Sequence, residues 1–369
     1  MNCQYWYCLN GFLKQVRISS TFKCWTVINL YENSFQRFLT SSAVSSETKM
    51  ESGDGMSPAE KKLLEDARLI VPSLSQSRHK GQAGRIGVIG GSVEYTGAPY
   101  FSAISALRVG CDLAHVFCLK EAAPVIKSYS PELIVHPVLD SDNAVELIKP
   151  WLDRLHVLII GPGLGRDSKV FATVASLIEV CRSEEKSYQK PLVIDADGLF
   201  MITEKPDIIR NYPHGAILTP NAIEFTRLAK SVLGESWSPS PEPKAEHVQA
   251  LAAALGPNIT VVHKGKADIF AHGQSKDVWH CSGGGTGRRC GGQGDLLSGS
   301  LGTFYAWALM AHQNYSNKLS FPSSIIAAYA GCRLTRECNS YAFVRAGRST
   351  VTTDMIDVIH PVFEKLYGE

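Results

Sequence analysis

The chain has 369 residues, of which 44% are hydrophobic and 20% charged, and a formal net charge of +2. That balance describes a globular protein with room for one large α/β domain or two ordinary ones, and it excludes a nucleic-acid role resting on a strongly basic face. No apolar run approaches the roughly 20 residues a membrane helix needs, so no membrane partner is expected. The first stretch, residues 1–56, is rich in Ser and Thr and carries Lys14, Arg17, Lys23 and Arg37 with only Glu32 as an acid before Glu47. It reads as an organellar transit peptide, plastid or mitochondrial, or as a disordered extension, with Met50 or Met56 available to start a cytoplasmic form. Folded sequence is expected from Ser57, with Pro58 in a first helical turn, so the predicted domain is 57–369.

From there short β-rich runs alternate with helical ones. Strands are predicted at Arg85–Ile89, Leu113–Cys118, His156 to Ile160, Leu192–Ile194, Ala216–Leu218 and Ile259–His263, with helices from Ala98, Ala122, Ser168 and Ala222. This βα alternation predicts a mostly parallel sheet covered by helices on both faces, and the run Val157-Leu158-Ile159-Ile160 suits a strand buried on both sides. The Pro-rich segment from Trp237 to Lys244 reads as a loop.

Ligands of open α/β sheets bind at the carboxyl ends of the strands. Polar motifs fall at those ends: Gly90-Gly91-Ser92, Gly161-Pro162-Gly163-Leu164-Gly165, Asp195-Ala196-Asp197, Thr219-Pro220-Asn221 and Lys264-Gly265, all expected around one crevice. GPGLG lacks the full dinucleotide fingerprint, and Gly163 and Gly165 are expected to let an extended substrate lie against backbone. Asn221 and Glu224 open a helix three apart; they suit either a hydrated Mg²⁺ beside nucleotide phosphates or a reciprocal capping box. Lys264 suits either a phosphate or an ordinary hairpin, and Asp197 either a ligand or a helix cap.

Residues 281–300 read CSGGGTGRRCGGQGDLLSGS. Glycines admit positive φ and close approach, and the amides of the following helix point along its positive end, so phosphate is the natural occupant. Arg288 and Arg289 are expected to clamp it. Asp295, the only acid in the run, is better placed to accept a proton than to contact phosphate, the alternative being a helix cap. Cys290 is either a reactive thiol beside the arginines or a small residue packed under the loop. The ten cysteines show no CxxC or CxxH spacing, so neither zinc nor a disulfide framework is expected.

Taken in order, VIGGSVEYTGAPYFSAISAL, GPGLGRD, LVIDADGL, ILTPNAIEF, HKGKAD and RRCGGQGDLLSGSL resemble the ATP- or ADP-dependent NAD(P)H-hydrate dehydratases, relatives of ribokinase-fold kinases, over nearly everything from His79 to Asp354. The resemblance implies a single ribokinase-like domain, a three-layer αβα fold around a mostly parallel sheet. It implies an ATP-using lyase that repairs the S epimer of hydrated NADH or NADPH, releasing ADP and phosphate, with Mg²⁺ as cofactor. It places catalysis on Asp295 and substrate on Gly163, Gly165, Asn221, Ala222, Ile223, Glu224, Phe225, Thr226, Arg227 and Asp295. ATP falls on Lys264, Gly265, Lys266, Ala267, Asp268, Gly285, Thr286, Gly287, Arg288, Arg289, Cys290, Gly291, Gly292, Gln293 and Gly294, and metal on Glu224, through water. Functional partnership with an NAD(P)HX epimerase is also implied; assembly into a homo-oligomer is left open. The alternatives are a small-molecule kinase of the same fold and a catalytically silent nucleotide-binding protein. The family pattern lacks the extra Gly283-Gly284-Gly285 stretch, which is compatible with either an ordered clamp or a mobile flap.

Overall fold

The computed structural model describes residues 56–75, 79–234, 243–315 and 318–368. All of the expected targeting segment but Met56, and most of the stretch between Trp237 and Lys244, lie outside them. The first helix, α1 (Pro58–Leu69), starts where expected: Ser57 and Glu60 form a capping box, each side chain accepting from the other's amide at 3.2 Å.

Among the described residues the sheet has nine strands: β1 (Arg85–Ile89), β2 (Leu113–Cys118), β3 (Ile134–Pro137), β4 (Val157–Ile160), β5 (Leu192–Ile194), β6 (Ala216–Leu218), β7 (Ile259–His263), β8 (Asp268–His272) and β9 (Val278–Cys281). Their order is β3-β2-β1-β4-β5-β6-β7-β8-β9. The first seven are parallel, while β8 and β9 complete the edge as antiparallel strands. The two short strands β3 and β9 escape the periodicity reading, each being four residues long with little alternation.

The connecting helices are α2 (Gly97–Val109), α3 (Ala123–Tyr129), α4 (Ala144–Leu152), α5 (Ser168–Cys181), α6 (Ala196–Glu204), α7 (Ala222–Leu233) and α8 (Ala245–Leu255). The chain ends with α9 (Gln293–Tyr315), α10 (Ser323–Ala346), α11 (Thr352–Asp357) and α12 (Ile359–Tyr367). Among the described residues two hydrophobic cores lie on opposite sheet faces. One joins α1 to α3 and α9 to α12 with Val157 and Ile159 of β4; the other joins α4 to α8 with Leu158 and Ile160. Successive residues of that continuous apolar run therefore point into different cores, as a strand's two-residue period requires. Burial of this kind, at about 25 cal/mol per Å² of apolar surface, is what holds the sheet between its helices and fixes its carboxyl edge.

Candidate active site

The polar motifs fall at the carboxyl edge as expected, yet a cavity of about 460 Å³ is lined by only some of them: Asp195 and Ala196 after β5, Asn221 and Glu224 after β6, and Lys264, Gly265 and Asp268 around the β7–β8 turn. The motifs after β1 and β4 do not line it. Instead they pack on one another, Gly91 N donating to the Gly163 carbonyl at 3.0 Å. The backbone there is tight: Gly161 has φ +120°, and a Cβ would stand 1.8 Å from the Asp195 carbonyl oxygen, so no other residue fits.

Lys264 donates to Asp195 Oδ1 at 2.7 Å, and Thr219 Oγ1 donates to the same oxygen at 2.8 Å. The β7–β8 hairpin that sequence allows is present, but its lysine is ion-paired instead of solvated. Asp195 stands at the N-cap of α6 without a side-chain cap bond. Asp197 does not cap that helix either: its Oδ2 accepts from Gly165 N at 3.0 Å, and its Oδ1 faces Arg166 Nε at 3.3 Å.

Asp295 lies in the first turn of α9, at the helix's positive end, and so does not cap it from outside. Removal from water, then the neighbouring Asp195 charge, hold its carboxyl well above the usual carboxylate range, against the pull of Lys264. Such a carboxylate is a stronger base than one in water, which suits proton abstraction. Just before it, Gly292 turns the chain at φ +90°, where a Cβ would meet Thr352 Oγ1 at 2.8 Å and Phe101 at 2.9 Å.

Between Asn221 and Glu224 the capping box is what forms. Asn221 Oδ1 accepts from the amides of Ile223 and Glu224 at 3.0 Å, and Glu224 Oε2 accepts from Asn221 N at 2.8 Å. The other Glu224 oxygen has no hydrogen bond among the described residues, and burial raises the group's pKa. Among the described residues no cluster of three or more His, Cys, Asp or Glu could cage a metal. Of the remaining residues expected at the substrate, Phe225 is fully buried and meets His263 edge-on, Thr226 Oγ1 donates to the Ala222 carbonyl, and Ile223 is exposed. Neither these nor Gly163, Gly165 and Ala222 line the central cavity, and Arg227 lines a neighbouring one.

The glycine loop supplies Gly285, Arg289, Cys290, Gly292, Gln293 and Gly294 to the cavity wall, but not Thr286, Gly287, Arg288 or Gly291, and in the β7–β8 turn Lys266 and Ala267 stay off it. The clamp expected of Arg288 is corrected by its contacts. Its Nε donates to the Thr350 carbonyl and its Nη1 to the Arg289 carbonyl, both at 3.0 Å, so the guanidinium braces the loop. Cys290 lies half-buried with Sγ 3.6 Å from Thr352 Oγ1, packed under the loop while still reaching the cavity.

Sequence reading missed the wall given by α10: Cys332, Thr335, Arg336 and Asn339. Arg336 donates to Asp268 Oδ2 (3.3 Å) and to the carbonyls of Lys266 (2.6 Å), Gly283 (3.1 Å) and Gly284 (3.2 Å). The Gly285 amide returns a bond to the Arg336 carbonyl at 2.9 Å, and Thr286 donates through both N and Oγ1 to Asn339 Oδ1 at 2.8 Å. The extra glycine stretch is thus stitched to α10 as an ordered wall. Sequence carried no clear signal for this wall: Lys264 and Lys266 stand closer to Asp268 along the chain, and only the fold shows that the acid is buried and met by Arg336, 68 residues away.

Residues 86–361 match the family model described as NAD(P)H-hydrate dehydratase. Among curated relatives, the ATP-dependent (S)-NAD(P)H-hydrate dehydratase of Aedes aegypti is 53% identical over 312 residues, 85% of this chain and 87% of the relative. The Homo sapiens protein of the same name is 52% identical over 304 residues, covering 82% and 84%. Among solved structures, an ADP/ATP-dependent NAD(P)H-hydrate dehydratase from Bacillus subtilis, co-crystallised with ATP and Mg²⁺, matches with a TM-score of 0.60 at 20% identity, over 82% of this chain and 97% of that one. A ribokinase-like superfamily protein from Enterococcus faecalis matches with 0.64 at 21%, over 83% and 95%. These likenesses establish the three-layer ribokinase-like fold.

Proposed function

We propose that this chain, which belongs to the NAD(P)H-hydrate dehydratase family, catalyses ATP-dependent dehydration of the S epimer of hydrated NADH and NADPH, releasing ADP and phosphate. The observation that carries the mechanism is Asp295, a carboxylate of raised basicity at the positive end of α9 beside the Lys264–Asp195 pair. Hydroxide is a poor leaving group, so the ring hydroxyl is first phosphorylated. Asp295 takes the hydroxyl proton as the oxygen attacks the γ-phosphate, and the loop amides near Gly292 and Gly294 with Lys264 stabilise the phosphate charge. The ring nitrogen's electron pair then expels phosphate, and loss of the proton on the adjacent ring carbon restores the double bond.

In this reading ATP lies along the β7–β8 turn and the stitched glycine loop, with Arg289 as the cationic contact, and the hydrated ring lies toward Asn221 and Glu224. Mg²⁺ fits only as an ion carried by the nucleotide's phosphates, with Glu224's unengaged oxygen as the protein's contribution through water; when bound it would neutralise phosphate charge. Residues 1–56 are proposed as an organellar address.

Purified protein given ATP, Mg²⁺ and hydrated NADH is expected to restore the reduced-nicotinamide absorbance with stoichiometric ADP and phosphate. ATP turnover with phosphate retained on the organic product, and no absorbance recovered, would favour a small-molecule kinase instead.

A further inference from the structure

We infer that a side cavity walled by Arg166, Phe200 and Arg227 binds a phosphate of the substrate dinucleotide remote from the reacting ring; this rests on the dehydratase reading. The cavity, about 240 Å³, is lined by Arg166, Ala196, Asp197, Leu199, Phe200, Thr203, Glu224 and Arg227. It shares Ala196 and Glu224 with the central cavity, so a molecule whose ring faces Asp295 reaches it without leaving the surface. Its volume lies below that of a drug-sized pocket, which suits a fragment such as a ribose phosphate or half of a pyrophosphate.

Of the two lining carboxylates, Asp197 is engaged through both oxygens and Glu224 through one, its other oxygen being the one assigned to the nucleotide's metal. Asp197 accepts from the Gly165 amide and faces Arg166 Nε, and Glu224 accepts from the Asn221 amide. The arginines are not engaged in the same way. Arg166 uses only Nε, leaving both terminal nitrogens without a partner among the described residues, and Arg227 has no hydrogen bond or ion pair there.

Arg166 is nevertheless held in place. Its guanidinium carbon sits 4.1 Å from the centroid of the Phe200 ring, which is itself 6.2 Å from Phe171. Stacking on one side and a carboxylate on the other orient a planar fork of donors, the arrangement that recognises phosphate oxygens in pairs. Asp197 binds both the Gly165 amide and Arg166, so the GPGLG turn presents that arginine as a fixed part of the wall. The placement also separates the substrates: the dinucleotide tail runs toward β4 and α6, and ATP occupies the opposite wall made by α10 and the glycine loop.

The test is steady-state kinetics with hydrated NADH and hydrated NADPH on Arg166→Ala, Arg166→Lys and Arg227→Ala. Loss of one charge-assisted contact is expected to raise KM for the dinucleotide about tenfold, with kcat within about twofold and KM for ATP unmoved. Lysine at 166 should recover only part, because it keeps charge but loses the fork and the stack. An equal rise for both substrates assigns the pyrophosphate, and a larger rise for hydrated NADPH assigns the ribose phosphate. Unchanged KM for both, or a fall in kcat alone, overturns the subsite. If the wild type showed no turnover, the dehydratase reading would fall, and the melting-temperature rise given by NADH or NADPH would still decide: its loss in Arg166→Ala supports the subsite, its persistence removes it.

Discussion

The Lys264 ammonium and the Asp195 carboxylate meet at 2.7 Å directly beneath the start of α9, where a Cβ on Gly294 would lie 3.3 Å from Asp195 Oδ2 and 3.5 Å from Lys264 Nζ. Asp295 is therefore raised by one member of this pair and lowered by the other. Burial raises it most, and the balance of the pair adjusts it from there.

Asp295→Asn should cut kcat by about 10²–10⁴-fold while ATP binding persists, as expected for loss of a general base. It should also stabilise the protein. A carboxyl whose folded pKa is raised contributes stability that is complete below its unfolded pKa and lost as pH rises toward and through the folded value, so at neutral pH the wild type has lost stability that the uncharged amide keeps. Melting curves should show the variant higher at pH 7 and the gap closing below about pH 4, the ordinary carboxylate range. A variant less stable at pH 7 would contradict this.

Asp195→Asn removes the charge that raises Asp295 and frees Lys264 to lower it. Both changes have the same sign. The acid limb of kcat/KM, which reports the free base, should move to lower pH, with a smaller plateau because a weaker base accepts the proton. A limb that stays in place would detach Asp295 from that titration.

Arg336→Ala leaves Asp268 buried without its cation and frees the glycine loop. Breaking a buried pair this way typically costs about 3–5 kcal/mol, read from urea unfolding, and KM for ATP should rise with it. Arg336→Lys should recover little, since one ammonium cannot reach carbonyls of both loops. Equal rescue by lysine would show that charge alone matters.

Gly292→Ala places a side chain at φ +90° against Thr352 and Phe101. The expected cost is roughly 1–3 kcal/mol of strain, with kcat lowered because the turn sets the start of α9. Unaltered stability and turnover would remove Gly292 from the loop's support.

At the far edge of the sheet, His115 Nδ1 lies 3.0 Å from His136 Nε2, the rings stacked at 5.3 Å, so the contact works only if one ring donates and the other accepts. Burial, then the facing His136, with Arg85 and Arg154 adding to it, push His115 down to about 4, and burial with Lys127 lowers His136. Depressed folded values mean stability that is present above the unfolded pKa near 6.5 and lost as pH falls toward 4, up to about 3 kcal/mol for His115. Replacing both by Gln should flatten the urea midpoint across that window; an unchanged slope would assign it to other groups, such as His156, which burial and Arg85 also lower to about 4.

Local pattern carried much of this protein into view. Apolar runs of strand length, helices between them and glycine-rich motifs at strand ends are properties of residues one to four apart; they sufficed for the α/β class and pointed to the carboxyl edge and to the acid Asp295. What a polar side chain is free to do was decided elsewhere. The partner of Lys264 is 69 residues away, that of Arg288 is 62 away, and Arg336 reaches Asp268 across 68. Folding thus turned the expected clamp Arg288 into a brace and made unremarked Arg336 the bolt between two loops. Helical spacing allowed Asn221 and Glu224 either a metal or a cap, and only the placed backbone, with its amides aimed at both oxygens, made them a capping box. Sequence determined which groups the edge would hold; the tertiary structure decided which of them remain unbonded, because hydrogen bonds and ion pairs are satisfied by distance in space and not along the chain.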